Sequence, residues 1–449
     1  MTRIVPLPLA LTLALAATPA PALAAGAFSA AFEAARAHDA AYRAARHELE
    51  AGEELVPIAR AGLLPTVTAS YSESRVRGER KSAVAPTQDL DYRNPVAALQ
   101  LRAPLLNLDA QGRYAAAQAQ TEGARARFAA SGRDLLDRLG LAYIQRLFAE
   151  ETLALAQVQV DALETQTQIA RRRLGAGEGT RTELADAAAS LASARAERIA
   201  ADDQRKLAQR ALSRMTGSEA LALRTLATDA APLFPMARTL DEWIALAREY
   251  NPSIAAAQRE LDALHHEVRR NRAGHYPRVD LVASAVNAEN ESISTLDQET
   301  SQYSIGVQVN IPIYAGGGVD ASVRRAAAEL ARTRARLDDD LQGLQLDIER
   351  QFRTIESGHA RLTALDDAVA SSDLALQGAR RGQSAGVLSS TDVLDALRRH
   401  YTARRDAAQA RHELLVARIR LQTLAGVAEE EIVADIDRLL TVELTDDRR

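Results

Sequence analysis

Asp392 and Asp395 stand three residues apart, just after a glycine-bearing turn in the stretch AGVLSSTDVLDA, Ala385 to Ala396. That spacing places both carboxylates on one face of a helix. A second acidic pair, Glu183 and Asp186, follows the turn of AGEGTRTELADA, Ala176 to Ala187. From spacing alone these are first-turn acids on solvated helices, where a carboxylate suits the helix dipole. Ser389 or Ser390 fits an N-cap, and Thr180 with Glu183 is spaced as a capping box. Nothing else in the chain suggests chemistry. His265 and His266 are neighbours and point different ways on a helix, so no metal site is expected. Gly316-Gly317-Gly318 lacks the GxxxxGK[ST] pattern of a phosphate loop. Asp338 to Asp340 and Arg171 to Arg173 read as solvated faces, and Trp243 as local packing. There is no nucleophile–base set, so neither catalysis nor a cofactor is expected.

Each acidic pair sits at the tip of a predicted helical hairpin. No proline occurs from Asp109 to Leu174, and a continuous helix there would run about 100 Å at ~1.5 Å per residue. Leu153, Ala156, Val160, Leu163, Thr167, Ala170 and Leu174 form a heptad seam in it, and Leu184, Ala187, Leu191, Ala194, Ala201, Ala208 and Leu212 form a second. Phe28–Ile58 and Leu240–Asn271 are also predicted helical. Segments 65–76, 95–104, 277–288 and 303–313 alternate as strands, with polar loops at 77–94 and 289–302; Pro104 and Pro312 close the second strand of each pair. A long helix runs to Arg381 and a last one from Val393 to Leu424.

The design occurs twice. Asp186 and Asp395, Gly217 and Gly426, and Tyr143 and Phe352 are each 209 residues apart, and Pro104 and Pro312 are 208 apart. The chain therefore divides into a signal peptide (1–24), a first repeat (25–225, tip 175–183), a connector (226–239), a second repeat (240–426, tip 382–392) and a tail (427–449). The signal is read from Arg3, the apolar run Ile4 to Ala17 and the cleavage site Ala22-Leu23-Ala24.

The 449 residues include only 4% aromatic and 26% charged side chains, no cysteine, and a formal charge of −5. Few aromatics argue for long, closely packed helices rather than several compact cores. Without cysteine there is neither a disulfide framework nor an acylated cysteine, and the charge carries no nucleic-acid footprint. Beyond the signal no window holds the ~20 apolar residues of a spanning helix, so membrane entry would have to be by strands. From pattern alone, a soluble sheet capping a helical rod and a membrane sheet are comparable; export and the polar loops favour the membrane. Four strands leave two raw edges, which lipid does not tolerate, and bacterial barrels begin at about eight strands. Chains must then share a barrel.

The repeated halves, the strand entries LLPTVTASYS and HYPRVDLVAS, the strand exit IPIYAGGGVDASVRRA, the tip AGVLSSTDVLDA and the terminal RIRLQTLAG resemble the TolC family over nearly the whole mature chain. The resemblance implies an α+β membrane protein: a homotrimeric, twelve-stranded outer-membrane β-barrel continuing into a long α-helical coiled-coil periplasmic tunnel. It implies a passive exit duct of a tripartite efflux or type I secretion system, in outer-membrane lipid, docked to a periplasmic adaptor and an inner-membrane ABC or RND pump. The details look closest to the type I secretion branch. Asp392 and Asp395, with Glu183 and Asp186 as their first-repeat equivalents, would line the periplasmic aperture as cation-attracting rings. Gly177, Gly179, Thr180, Gly386, Val387 and Ser389 would meet the adaptor's tips. Pro104, Pro312, Gly316 and Gly317 would form the strand-to-helix swivel. Some relatives latch the mouth with a Tyr near Gln383 and an Arg near Leu388; here those residue types are absent, leaving Arg181 or Arg380 as substitutes. The reading from another class is a soluble periplasmic coiled-coil adaptor or scaffold.

Overall fold

Asp39 ends the first helix before the sequence pattern does. In the computed structural model, which describes residues 26–81, 86–219, 222–226, 238–292 and 295–443, helices α1 (Ala27–His38), α2 (Ala40–Glu53) and α3 (Leu55–Ala61) replace the single helix expected over 28–58. The Asp39 carboxylate accepts from the Tyr42 amide at 2.9 Å and starts α2 as its N-cap. In the second repeat Asn251 and Pro252 do the same, dividing the expected helix into α6 (Leu240–Tyr250) and α7 (Pro252–Arg272). Proline is tolerated at a first helical turn because its missing N–H has no partner there. The signal peptide and residues 227–237 of the connector lie outside the described residues.

The long helices form as the seams require. Helix α4 (Leu108–Gly175) has 68 residues and α8 (Gly318–Ser384) has 67; each folds back at its tip into α5 (Arg181–Thr216) or α9 (Ser390–Leu424). Helix α4 packs on α5, α7 and α9, so the two hairpins lie side by side. Most of the buried aromatic residues gather at the waist. There Phe28, Phe32, Tyr143 and Trp243 pack with Leu135, Leu139, Ile348 and Leu415 in the largest core. The Phe28 and Tyr143 rings meet edge to face at 5.4 Å. The tail closes this core as α10 (Glu429–Leu439) and a short strand, Leu440–Glu443, which pairs with Arg224–Leu226.

Strands β1 (Thr66–Arg80), β2 (Gln88–Leu106), β4 (Arg278–Ser292) and β5 (Thr295–Asn310) form one antiparallel sheet in the order β1-β2-β4-β5; Arg224–Leu226 is β3 and Leu440–Glu443 is β6. The strands outrun their alternating apolar cores. Most of 77–94 and 289–302, expected as loops, is hydrogen-bonded strand. The polar β1–β2 hairpin stays paired because its side chains pair too, as Arg75 does with Asp91 at 2.7 Å. Pro104 does not close β2. It lies within the strand at a register shift against β4 between Pro104 and Leu106, the kind of irregularity where a residue without an N–H fits. Strand β5 ends at Asn310, before Pro312.

Register sorts the faces. Val67, Leu101, Ala283 and Ile305 stand in one row across all four strands, and Ala69, Leu99, Ala285 and Tyr303 in another on the same side. The intervening row is Thr68, Gln100, Ser284 and Ser304. One side of the sheet is therefore an apolar band and the other is polar. Tyr71 and Tyr303 edge the band above and Tyr276 and Tyr314 below, all exposed in the single chain, the placement of aromatic girdles in outer-membrane strands. No described helix is long and apolar enough to cross a membrane.

Candidate functional site: the paired hairpin tips

The two tips are built alike. Ala176 is the C-cap of helix α4, and Gly177 takes φ +77°; Ala385 is the C-cap of helix α8, and Gly386 takes φ +76°. In each, the next amide reaches back to the helix: Glu178 N–H donates to the Arg173 carbonyl at 2.9 Å, and Val387 N–H to the Gly382 carbonyl at 2.9 Å. A Cβ on either positive-φ glycine would meet nothing within 4 Å, so backbone strain, not space, requires glycine there. Farther round the turn the repeat trades partners. A Cβ on Gly179 would stand 3.2 Å from the Arg173 Cβ, while one on Gly382 would stand 2.7 Å from Leu388 Cδ1. Residues 173 and 382 are equivalent, as are 179 and 388. One member of the pair must be small, and the two tips choose opposite members.

Both following helices carry full capping boxes. Thr180 caps α5 with Glu183, and Ser389 caps α9 with Asp392. Asp392 accepts from the Ser389 hydroxyl at 2.7 Å and amide at 2.8 Å, and these bonds hold its carboxyl below the usual range. Capping thus acts at Asp392 in the sense opposite to repulsion from a neighbouring carboxylate. Asp395 is held 2.7 Å from Arg398. Asp186 is exposed, and its carboxylate has no hydrogen bond or ion pair among the described residues. Thus Glu183 and Asp392 cap, Asp395 pairs, and Asp186 faces solvent.

Val387 is 80% exposed at the apex of the second tip, where the first has Glu178. Gln383 is buried with its amide Nε2 unbonded, Leu388 leans over Gly382, and Arg181 and Arg380 are exposed. At the other end of the hairpins, Gly316 (φ +61°) and Gly317 (φ +78°) follow Pro312 and start α8, whereas Asn107 starts α4 by accepting from the Ala110 amide at 3.0 Å. The second crossing turns on glycine and the first on a capped, buried asparagine.

Contacts between the hairpins were not anticipated. Gln166 Nε2 donates to Ser390 Oγ at 3.0 Å, both buried, and the Tyr401 hydroxyl donates to the Val158 carbonyl at 3.3 Å. Val160, Leu163, Ala187, Leu191, Val393 and Leu397 surround them in a core shared by both repeats. Gln166 flanks the seam position Thr167 and carries no signal of its own in the sequence. Among the described residues no three His, Cys, Asp or Glu side chains gather as a metal site. Trp243 is buried at the waist with Arg238 over its ring.

The Outer membrane efflux protein family profile matches residues 31–218 and 243–427, the two repeats in turn. Proteases secretion protein PrtF of Dickeya chrysanthemi is 36% identical over 408 residues, covering 89% of this chain and 88% of its own length. Alkaline protease secretion protein AprF of Pseudomonas aeruginosa is 31% identical over 412 residues, covering 88% and 84%. Among solved structures the outer-membrane channel OprN superposes with a TM-score of 0.78 at 20% identity over 90% of each chain. The match extends through sheet, hairpins and waist alike, so this chain belongs to the outer membrane efflux protein family: it is a passive outer-membrane channel, one protomer of a trimeric β-barrel continued by a helical periplasmic tunnel.

Proposed function

We propose that this channel is the exit duct of a type I protein secretion system, receiving polypeptide from a periplasmic adaptor and a protein-exporting inner-membrane pump. The observation that carries this is end-to-end similarity to two relatives whose names specify protease secretion. In this reading the tips meet the adaptor through Gly177, Gly179, Thr180, Gly386, Val387 and Ser389. Exposed Val387 supplies the apolar contact. Glu183, Asp186, Asp392 and Asp395 line the aperture, and Pro104, Pro312, Gly316 and Gly317 serve the passage from strand to helix. The apolar band between tyrosines meets outer-membrane lipid, which supports the membrane reading over a soluble scaffold; no nucleic acid is a partner.

The test is replacement. In Dickeya chrysanthemi cells that lack PrtF, this chain should return protease to the medium. Tolerance of small toxic compounds without secreted protease would overturn the assignment.

A further inference from the structure

At the foot of the barrel sheet one covered carboxylate holds two arginines. Asp280 is 2% exposed. Its Oδ2 accepts from Arg102 Nε at 3.0 Å and Nη2 at 2.8 Å, and Arg278 Nε stands 3.1 Å from the same oxygen. Strand alternation puts Arg102, Arg278 and Asp280 on the side opposite Leu101, Val279 and Leu281. The apolar band takes the lipid, so the three residues face the lumen.

One arginine is enough to neutralise one carboxylate. The second leaves a surplus positive charge in each chain, and both arginine side chains are about half open, at 48% and 47%, while the acid is covered. The site lies on β2 and β4, the inner strands of the sheet. It is therefore complete in one protomer and away from the edges where sister chains join. Trimer symmetry repeats it at one height. A guanidinium offers a planar fork of donors that suits oxyanions.

We propose that Arg102, Arg278 and Asp280 form an anion-binding ring in the lumen, where barrel gives way to tunnel, and that it takes polyvalent oxyanions. The channel then has a basic ring far from its acidic tips. Asp280 sets the strength by cancelling half of the charge and fixing both arginines. The inference rests on the trimeric barrel of the family and is independent of what the duct exports.

Trimers reconstituted in planar bilayers test this with inorganic tripolyphosphate added on the extracellular side. Wild type should be blocked. Arg278→Gln leaves the closer Arg102–Asp280 pair in place and should raise the blocking concentration at least about fivefold, the effect of one unit charge acting on one anion charge through water at contact distance. Asp280→Asn keeps the side-chain shape, frees one more charge and should lower it by a similar factor. Thermal melting of the same trimers separates a charge effect from loss of assembly. Equal block in all three proteins at unchanged melting, or block only from the periplasmic side, would overturn the proposal.

Discussion

Asp392 and Asp395 look alike in sequence but are held by different bonds. Asp392 belongs to the capping box of α9, so replacing it disturbs the tip as well as removing a charge. Asp395 takes no part in capping, and its carboxylate is paired with Arg398. Asp395→Asn is thus the cleaner probe of the aperture reading. We predict higher single-channel conductance and weaker block by multivalent cations, with trimer melting unchanged; wild-type conductance and block together would remove Asp395 from the aperture. The small–large exchange at 173/179 and 382/388 belongs to this scale as well. It depends on side chains meeting across a turn, which neither copy reveals when read separately.

Among the elements, the clamp between α9 and α10 responds to pH. Burial alone would raise the Asp435 pKa, but hydrogen bonds from Arg418 at 2.7 Å and Gln422 at 2.9 Å bring it below the ordinary carboxylate value. A group with a depressed folded-state pKa stabilises the fold above its unfolded value, here 3.8, and that contribution is lost as pH falls through the lower folded value. We predict that acidification below about pH 4 lowers trimer melting less in Asp435→Asn than in wild type. Identical acid sensitivity would mean that the clamp does not contribute. Tyr143 marks the other side of the same waist: burial pushes its hydroxyl up to about 12, and it accepts from the Arg224 amide at 2.9 Å, tying β3 to α4.

At the scale of the whole molecule, the face sorting of the sheet decides which changes the membrane tolerates. Val307 is on the apolar side, paired with Leu281; Gln308, the next residue, is on the polar side, paired with Asp280. Lysine at a lipid-facing midplane position costs ~2–4 kcal/mol, whereas lumen positions tune selectivity. Val307→Lys should therefore deplete trimer from the outer membrane, while Gln308→Lys should assemble normally, as judged by fractionation and native gels. The reverse pattern would invert the barrel. The single chain also leaves β1 and β5 as sheet edges, the backbone reason for a trimer.

Periodicity determined much of this protein directly from sequence. The heptad seams, the 209-residue repeat, the tip glycines, the caps and the alternating apolar cores of the strands all express contacts within a few residues of one another, or the same local rule used twice. Tertiary structure decided where the local rules stop. It broke the 28–58 helix at Asp39, carried polar segments on as paired strand, placed Pro104 at an irregularity inside β2, and joined the repeats through β2–β4 and Gln166–Ser390. The irregularity at Pro104 and the joining of the repeats depend on partners far away in the chain, and the strand extensions on a partner across a hairpin. Asp280 is the extreme case: as one polar residue in an alternating strand it has no special signal, and only the pairing of β2 with β4 brings Arg102 to it from 178 residues away.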